Sequence, residues 1–428
     1  MQRIRSLIKQ YSTSAFVRNI SKLTGGIAIA QLISLGTAPV LYRIYDREYY
    51  GTLGVFMGIA GVMGALSTMQ YIQAVMLEEK DQDALHALWL VRIINGVVAI
   101  LTLIVVLFFD QWIATALHNE LLSDWLILLP ISIFFGGQNE LFRIWANRQK
   151  KYSILTMNGV LTSLLVPTVS ISIGLFHIGP FGLFMGMMVG QVVPSLFMSW
   201  QLSKTNSFAW RTLRMSQVKE IARRHINFPK YSLPAEFINR LSNQLPTFML
   251  SLFSGAGAVG TYNLSVRMLS LPIQLLSSSI SEVFRQRAIE DYNISGTCRS
   301  IFVKTFKSLI VLSVLPALGI FFFGPQLFVF FFGEQWRDSG IYSQLLAGFY
   351  LLKFIVSPLS YVYIIVGRQQ EDLFWNIYFL ISSFVAFYIG LKFFSSSYVA
   401  IGIFALNYSL IYCIVLFRSY LFSLRPRK

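Results

Sequence analysis

Twelve apolar stretches, each long enough to cross a bilayer, occupy nearly the whole chain. A hydrocarbon core about 30 Å thick takes roughly 20 helical residues. The stretches fall near 23–42, 52–76, 86–109, 121–143, 154–177, 180–202, 232–254, 259–283, 301–323, 340–365, 372–393 and 398–420. An open sheet would strand backbone N–H and C=O groups in lipid, so each stretch is expected to be a helix. Of the 35 Lys and Arg, all but seven lie in or beside the segments on one side of these stretches. Arg43, Arg47, Arg337 and Lys392 fall on the other side, and Arg240, Arg267 and Lys353 fall inside stretches. Positive-inside bias then places both termini in the cytoplasm. The expected fold class is all-α: a polytopic membrane protein with 12 transmembrane helices in two six-helix lobes.

The 13% charged content stands against roughly 25% in a soluble domain, which excludes a water-soluble enzyme. A net charge of +16 would suit nucleic acid, but the basic residues sit in short loops beside apolar runs. Anionic membrane lipid is the partner that such a placement implies. Two cysteines, Cys298 and Cys413, make no disulfide framework and are expected to pack. Residues 1–22 are basic and weakly amphipathic, without a signal-peptide pattern, and are read as a helix on the inner surface.

The longest hydrophilic segment, 203–231, divides the stretches six and six. The expected organisation is a basic segment 1–22, an N-lobe 23–202, a cytoplasmic linker 203–231, a C-lobe 232–420 and a basic tail 421–428. A shift of 209 residues aligns Tyr50-Gly51-Thr52 with Val259-Gly260-Thr261. This faint repeat suits two lobes related by an axis along the membrane normal, with the substrate path between them. Gly182, Gly186 and Gly190 recur every fourth residue, as close helix packing requires. The run Glu78, Glu79, Lys80, Asp81 and Asp83 reads as a solvated loop, and Glu140 with Arg143 as a rim pair.

Polar residues inside the stretches carry the functional expectation. Span seven places Glu236, Arg240, Asn243, Gln244 and Thr247 on one helical face. Span eight adds Asn263, Arg267, Ser270 and Gln274, span ten Tyr350, Lys353, Ser357 and Tyr361, and span one Gln31. Such faces avoid lipid and either meet one another or line a wet cavity. Arg240 lies about 12 Å from its inner helix end, and Arg267 and Lys353 are also at mid-depth. A buried cation costs about 2.5–3.5 kcal/mol there. Glu236 can pair with Arg240 one turn away, whereas Arg267 and Lys353 have no carboxylate on their own helices within a turn. A cationic cavity awaiting an anion is the functional reading, with Arg suited to phosphate. No phosphate-binding loop is present, and the outer loops are too short for a catalytic domain. The four scattered histidines show no metal spacing. No cofactor, metal, nucleic-acid partner or enzymatic activity is expected.

Gly25-Gly26, Ala30-Gln31, Pro39, Arg43-Ile44-Tyr45, Tyr50-Gly51, Tyr71 and Ala74-Val75 together resemble the N-terminal pattern of the bacterial polysaccharide-transporter family. This family contains the O-antigen and capsule flippases of the multidrug and oligosaccharidyl-lipid exporter superfamily. Ile72 stands where the family commonly carries a glutamate. The resemblance implies an inner-membrane flippase for undecaprenyl-pyrophosphate-linked oligosaccharide repeat units. It also implies a polysaccharide polymerase, a chain-length regulator and coupling H+ or Na+ as possible partners. On this reading Arg240, Arg267 and Lys353 hold the pyrophosphate or an acidic sugar. Asn243, Gln244, Asn263, Gln274, Gln31, Tyr350 and Tyr361 bond or stack on sugars. The alternatives are an ion-coupled drug or metabolite antiporter on the same fold, and a membrane enzyme of polysaccharide assembly.

Overall fold

The computed structural model describes residues 15–204, 214–273, 277–366 and 368–424, which are helical apart from short connections. The long helices are α1 (Ala15–Ile44), α2 (Arg47–Thr68), α3 (Asp81–Ala116), α4 (Leu129–Arg148), α5 (Tyr152–Gly174) and α6 (Phe181–Ser203). They continue as α7 (Met215–Arg224), α8 (Leu233–Pro272), α9 (Ser278–Ser295), α10 (Arg299–Phe332), α11 (Arg337–Leu359), α12 (Gln369–Tyr388) and α13 (Ser397–Ser423). Pro130 opens α4, where its missing N–H costs nothing. The Ser396 hydroxyl caps α13 by accepting from the Val399 N–H at 3.4 Å. Gly255 breaks α8 into two arms, at φ 79° and ψ 176°, a conformation that a side chain disfavours.

Among the described residues, eight helices are long and apolar enough to cross a membrane, and nine if the bent pair Glu120–Leu126 and Leu129–Arg148 counts as one span. Large apolar side chains stand exposed along them, such as Leu101, Ile104 and Phe108 on α3 and Val311, Leu315 and Phe330 on α10. Apolar belts of this extent need lipid to cover them. The α8 helix is not among the eight. Its polar stripe lowers its apolarity.

The chain divides into two compact units: residues up to Tyr45 with Phe56–Leu241, and Asp46–Val55 with Ser242 onward. In the first, the core gathers Leu88, Val91, Trp145, Met198, Leu202 and Ile221. Tyr45 donates to the Ser170 carbonyl at 2.6 Å, lodged where Gly174 and Gly182 leave room. Gly186 and Gly190 let α6 close on Ser170 and Val166 of α5, so the every-fourth glycines do serve helix packing.

The acidic run departs from the expected solvated loop. Glu78 is buried, and its carboxylate accepts from Arg224 Nη1 at 3.0 Å while contacting His225 Nε2 at 2.7 Å. Tyr71 donates to the Ala222 carbonyl at 3.0 Å. These bonds seat α7, whose apolar Val218 and Ile221 are buried. Arg148 closes the knot from α4, donating Nη1 to the carbonyls of Val75 and Glu78 at 2.8 and 2.7 Å and Nε to Asp81 at 3.0 Å. Buried carbonyls at the end of a short helix need such donors, and sequence spacing alone did not reveal one 67 residues or more away.

In the second unit the core runs through Phe284, Phe302, Phe354, Tyr363 and Phe422. The glycines aligned by the internal repeat meet here. A Cβ on Gly51 would lie 1.7 Å from the Ala256 carbonyl oxygen, and one on Gly260 would lie 2.0 Å from that of Arg47. Arg47 and Ala256 are themselves related by the same shift. Thr52 and Thr261, the next residues, each donate to the carbonyl four residues back, at 3.0 and 2.8 Å. A contact in which i meets j as j meets i is what a two-fold relation produces.

Cys298 is fully buried at the entry to α10, and burial pushes its thiol from 9.0 up to about 11. Since the thiolate is the nucleophile, Cys298 in a Cys413→Ser background will resist maleimide at pH 7.5. It will label only once the protein is unfolded in detergent. Rapid labelling of the folded protein would contradict this placement.

Candidate functional site

The polar residues of α8 occupy both units. On the first arm Arg240 Nε donates to Glu236 Oε1 at 2.6 Å, one helical turn away as the spacing predicts. Arg240 Nη1 also donates to the Gly61 carbonyl of α2 at 3.1 Å. It passes 3.1 Å from where a Cβ of Gly64 would sit, so the glycines of α2 make room for the guanidinium. Glu140 of α4 lies within electrostatic reach of Arg240, Arg143 and Glu236. Arg240 therefore has a carboxylate partner on its own helix, Glu236. Glu140 and Arg143 belong to this cluster rather than only to a helix rim.

In the second unit, Gln244 is half-buried and Asn243 exposed. Asn263 packs its amide over Gly54, where a Cβ would lie 2.0 Å from Nδ2. Arg267 is exposed on the second arm. Tyr361 faces Arg285, whose guanidinium lies 5.6 Å from its ring centroid. Gln31 is half-buried on α1 of the first unit, and Gln274 lies outside the described residues. Groupings of His, Cys, Asp and Glu able to hold a metal are absent among the described residues.

Lys353 of α11 occupies a different setting. Its ammonium lies 5.7 Å from the Phe349 ring centroid and 5.4 Å from that of Tyr350. Among the described residues no carboxylate forms an ion pair with it. Phe349 in turn packs against Phe404, Tyr408 and Tyr412 of α13 at 5.8, 5.2 and 5.8 Å. Sequence reasoning found Tyr350 and Lys353 but missed Tyr408 and Tyr412. The i, i+4, i+8 spacing of Phe404, Tyr408 and Tyr412 was the available signal.

Comparison with known proteins places this architecture. A family model described as polysaccharide biosynthesis protein matches residues 40–340. The chain belongs to the polysaccharide biosynthesis protein family. The teichuronic acid biosynthesis protein TuaB of Bacillus subtilis (strain 168) is 21% identical to it over 150 residues, 35% of this chain and 31% of that protein. The match thus spans about a third of that relative's length. Among solved structures, the lipid II flippase MurJ in an inward closed conformation superposes with a TM-score of 0.69 at 13% identity, covering 93% of this chain and 90% of that one. An inward-facing multidrug resistance MATE transporter of the MOP superfamily gives 0.66 at 15% identity, covering 93% and 97%. A MOP superfamily transporter from Pyrococcus furiosus gives 0.60 at 15% identity, covering 94% and 95%. The fold is therefore that of these transporters. This member of the polysaccharide biosynthesis family is a multi-pass membrane protein, in keeping with the bacterial inner membrane.

Proposed function

We propose that the chain is a flippase. It carries undecaprenyl-pyrophosphate-linked oligosaccharide repeat units of O-antigen, capsule or exopolysaccharide from the inner to the outer leaflet by alternating access. The observation that carries this reading is an intramembrane ammonium, Lys353, with no carboxylate beside it among the described residues, in a chain of the polysaccharide biosynthesis family. Each sugar hydroxyl costs roughly 2–7 kcal/mol to strip of water unpaired, so unaided crossing is negligible. A polar path removes that cost while the lipid tail stays in the bilayer. Lys353 and Arg267 supply positive charge to the pyrophosphate or an acidic sugar. Asn243, Gln244, Asn263, Gln274, Gln31, Tyr350 and Tyr361 supply sugar contacts, and Arg240 acts within its charged cluster.

Twelve spans follow if the bent pair, the two arms of α8 and the shorter apolar helix Ile377–Phe393 join the eight apolar helices. An even number of spans puts both termini on one side, which the Lys and Arg excess makes the cytoplasm, and 203–231 links an N-lobe (23–202) to a C-lobe (232–420). Membrane lipids surround the chain, H+ or Na+ is the coupling ion, and a polymerase with its chain-length regulator acts on the product. Deleting the gene will trap lipid-linked repeat units on the cytoplasmic leaflet and abolish surface polymer. Lys353→Ala and Arg267→Ala, at equal abundance, will lower flipping about 30-fold or more, the effect of losing one charged contact. Wild-type flipping by both variants would rule out the cationic mechanism. Export of a soluble drug, with lipid-linked units unaffected, would favour an ion-coupled antiporter.

A further inference from the structure

A buried carboxylate outside the candidate spans is shared by two bases at the end of α7. The two oxygens of Glu78 are divided between Arg224 Nη1 at 3.0 Å and His225 Nε2 at 2.7 Å. Arg224 is the last residue of α7 and His225 caps it, its N–H donating to the Ile221 carbonyl at 3.0 Å. The imidazole also stacks on Phe228, with ring centroids 5.6 Å apart. Free carboxylates titrate near about pH 4 and arginine stays charged, whereas histidine changes charge between about pH 5 and 8. A neutral imidazole gives a carboxylate one ordinary hydrogen bond. An imidazolium gives a charge-assisted one, roughly twice as strong, and its charge suits the negative end of a helix.

The elements packed around α7 carry further charges. Glu79, Lys80, Asp81 and Asp83 lie before and in the first turn of α3, with His86 just beyond. Arg148 of α4 is engaged by Asp81 and by backbone carbonyls. Glu220 holds Arg224 from its other side at 2.8 Å. Lys204 after α6 and Lys230 sit over the rings of Trp200 and Tyr231, at 3.5 and 5.1 Å. Lys151 precedes α5, and Lys219 and Arg223 are exposed on α7, where water and salt screen them. Among the described residues, the polar side chain that His225 contacts is Glu78 alone. That 2.7 Å contact therefore decides how the imidazole responds to a proton.

We infer that Glu78, Arg224 and His225 form a proton-responsive fastener that seats α7 on the first unit. Arg224 holds Glu78 whatever the cellular pH. His225 strengthens its own hold when it gains a proton, and gives up that extra hold as pH rises through the histidine range. The segment carrying α7 thus lies more firmly on the first unit at pH 6 than at pH 8. This goes beyond the flippase reading and does not depend on it.

The test is amide hydrogen exchange of the full chain in lipid nanodiscs at pH 6 and pH 8, expressed as protection relative to the intrinsic rate at each pH. Wild-type α7 will be about fivefold better protected at pH 6, the effect of roughly doubling one hydrogen bond. Helix α9, which contains no histidine, will show no such change and serves as the reference. His225→Gln keeps a neutral donor, so its α7 will match the wild type at pH 8 and lose the gain at pH 6. Glu78→Gln will lower protection of α7 at both pH values and shrink the difference between them. If Glu78→Gln fails to fold, the partly exposed His225 still allows the first variant to decide. Equal wild-type protection at the two pH values, better protection at pH 8, or a pH dependence that survives in His225→Gln would overturn the inference. The leaflet assay for lipid-linked units reports on the flippase reading independently.

Discussion

Gly260→Leu will leave no monodisperse protein after extraction into mild detergent, and Gly51→Leu will do the same. The usual cost of over-filling a packed site is about 1–3 kcal/mol, because neighbouring side chains can shift. Neither glycine offers that relief. The atom in the way is a backbone carbonyl oxygen in each case, at 1.7 Å for Gly51 and 2.0 Å for Gly260. Helices that meet through glycine must separate as a whole to admit a side chain. Because the two contacts are mirror copies within one repeat relation, the variants should be alike in severity. Gly96→Ala is the control, since no atom lies within 4 Å of its added Cβ. Size-exclusion profiles and Tm in detergent will separate the cases. A Gly260→Leu protein with wild-type Tm would show that the helices do not meet as described.

Arg148→Ala is expected to have the second largest effect. One guanidinium satisfies the Val75 and Glu78 carbonyls and holds Asp81. Its removal leaves at least two carbonyls short of a donor, each worth about 1–3 kcal/mol when buried. Lysine cannot restore the forked geometry, so Arg148→Lys should recover only part of the loss. The readout is twofold. Stability will fall by about 2–6 kcal/mol, and protease will cut faster around α7, because Glu78 no longer presents its carboxylate correctly to Arg224 and His225. If cutting near α7 is unchanged while stability falls, the two halves of the knot are independent.

What the sequence disclosed depended on the range of the interaction. The helical, membrane-spanning character follows from apolar length alone, and Arg240 with Glu236 follows from a single turn of helix. Glu140, about a hundred positions upstream, joins that pair only through packing, so no spacing announced it. Glu78 misled for the same reason. In sequence it sits in a charged run, and its partners Arg224 and His225 come from a segment expected to be a free linker. The tyrosines near Lys353 were hidden differently. On a helix as apolar as α13, Tyr408 and Tyr412 count toward hydrophobicity, and their rings stand out only once Phe349 of α11 is packed against them.

The weak apolarity of α8 has a consequence for biogenesis. A nascent helix is released sideways into lipid according to its own hydrophobicity, and each central Arg penalises release by about 2.5–3.5 kcal/mol. With Arg240 on one arm and Arg267 on the other, neither arm of α8 should partition alone. The ribosome must then deliver later, greasier segments before these two settle, so a chain truncated after Pro272 should leave the arms exposed to quality-control proteolysis.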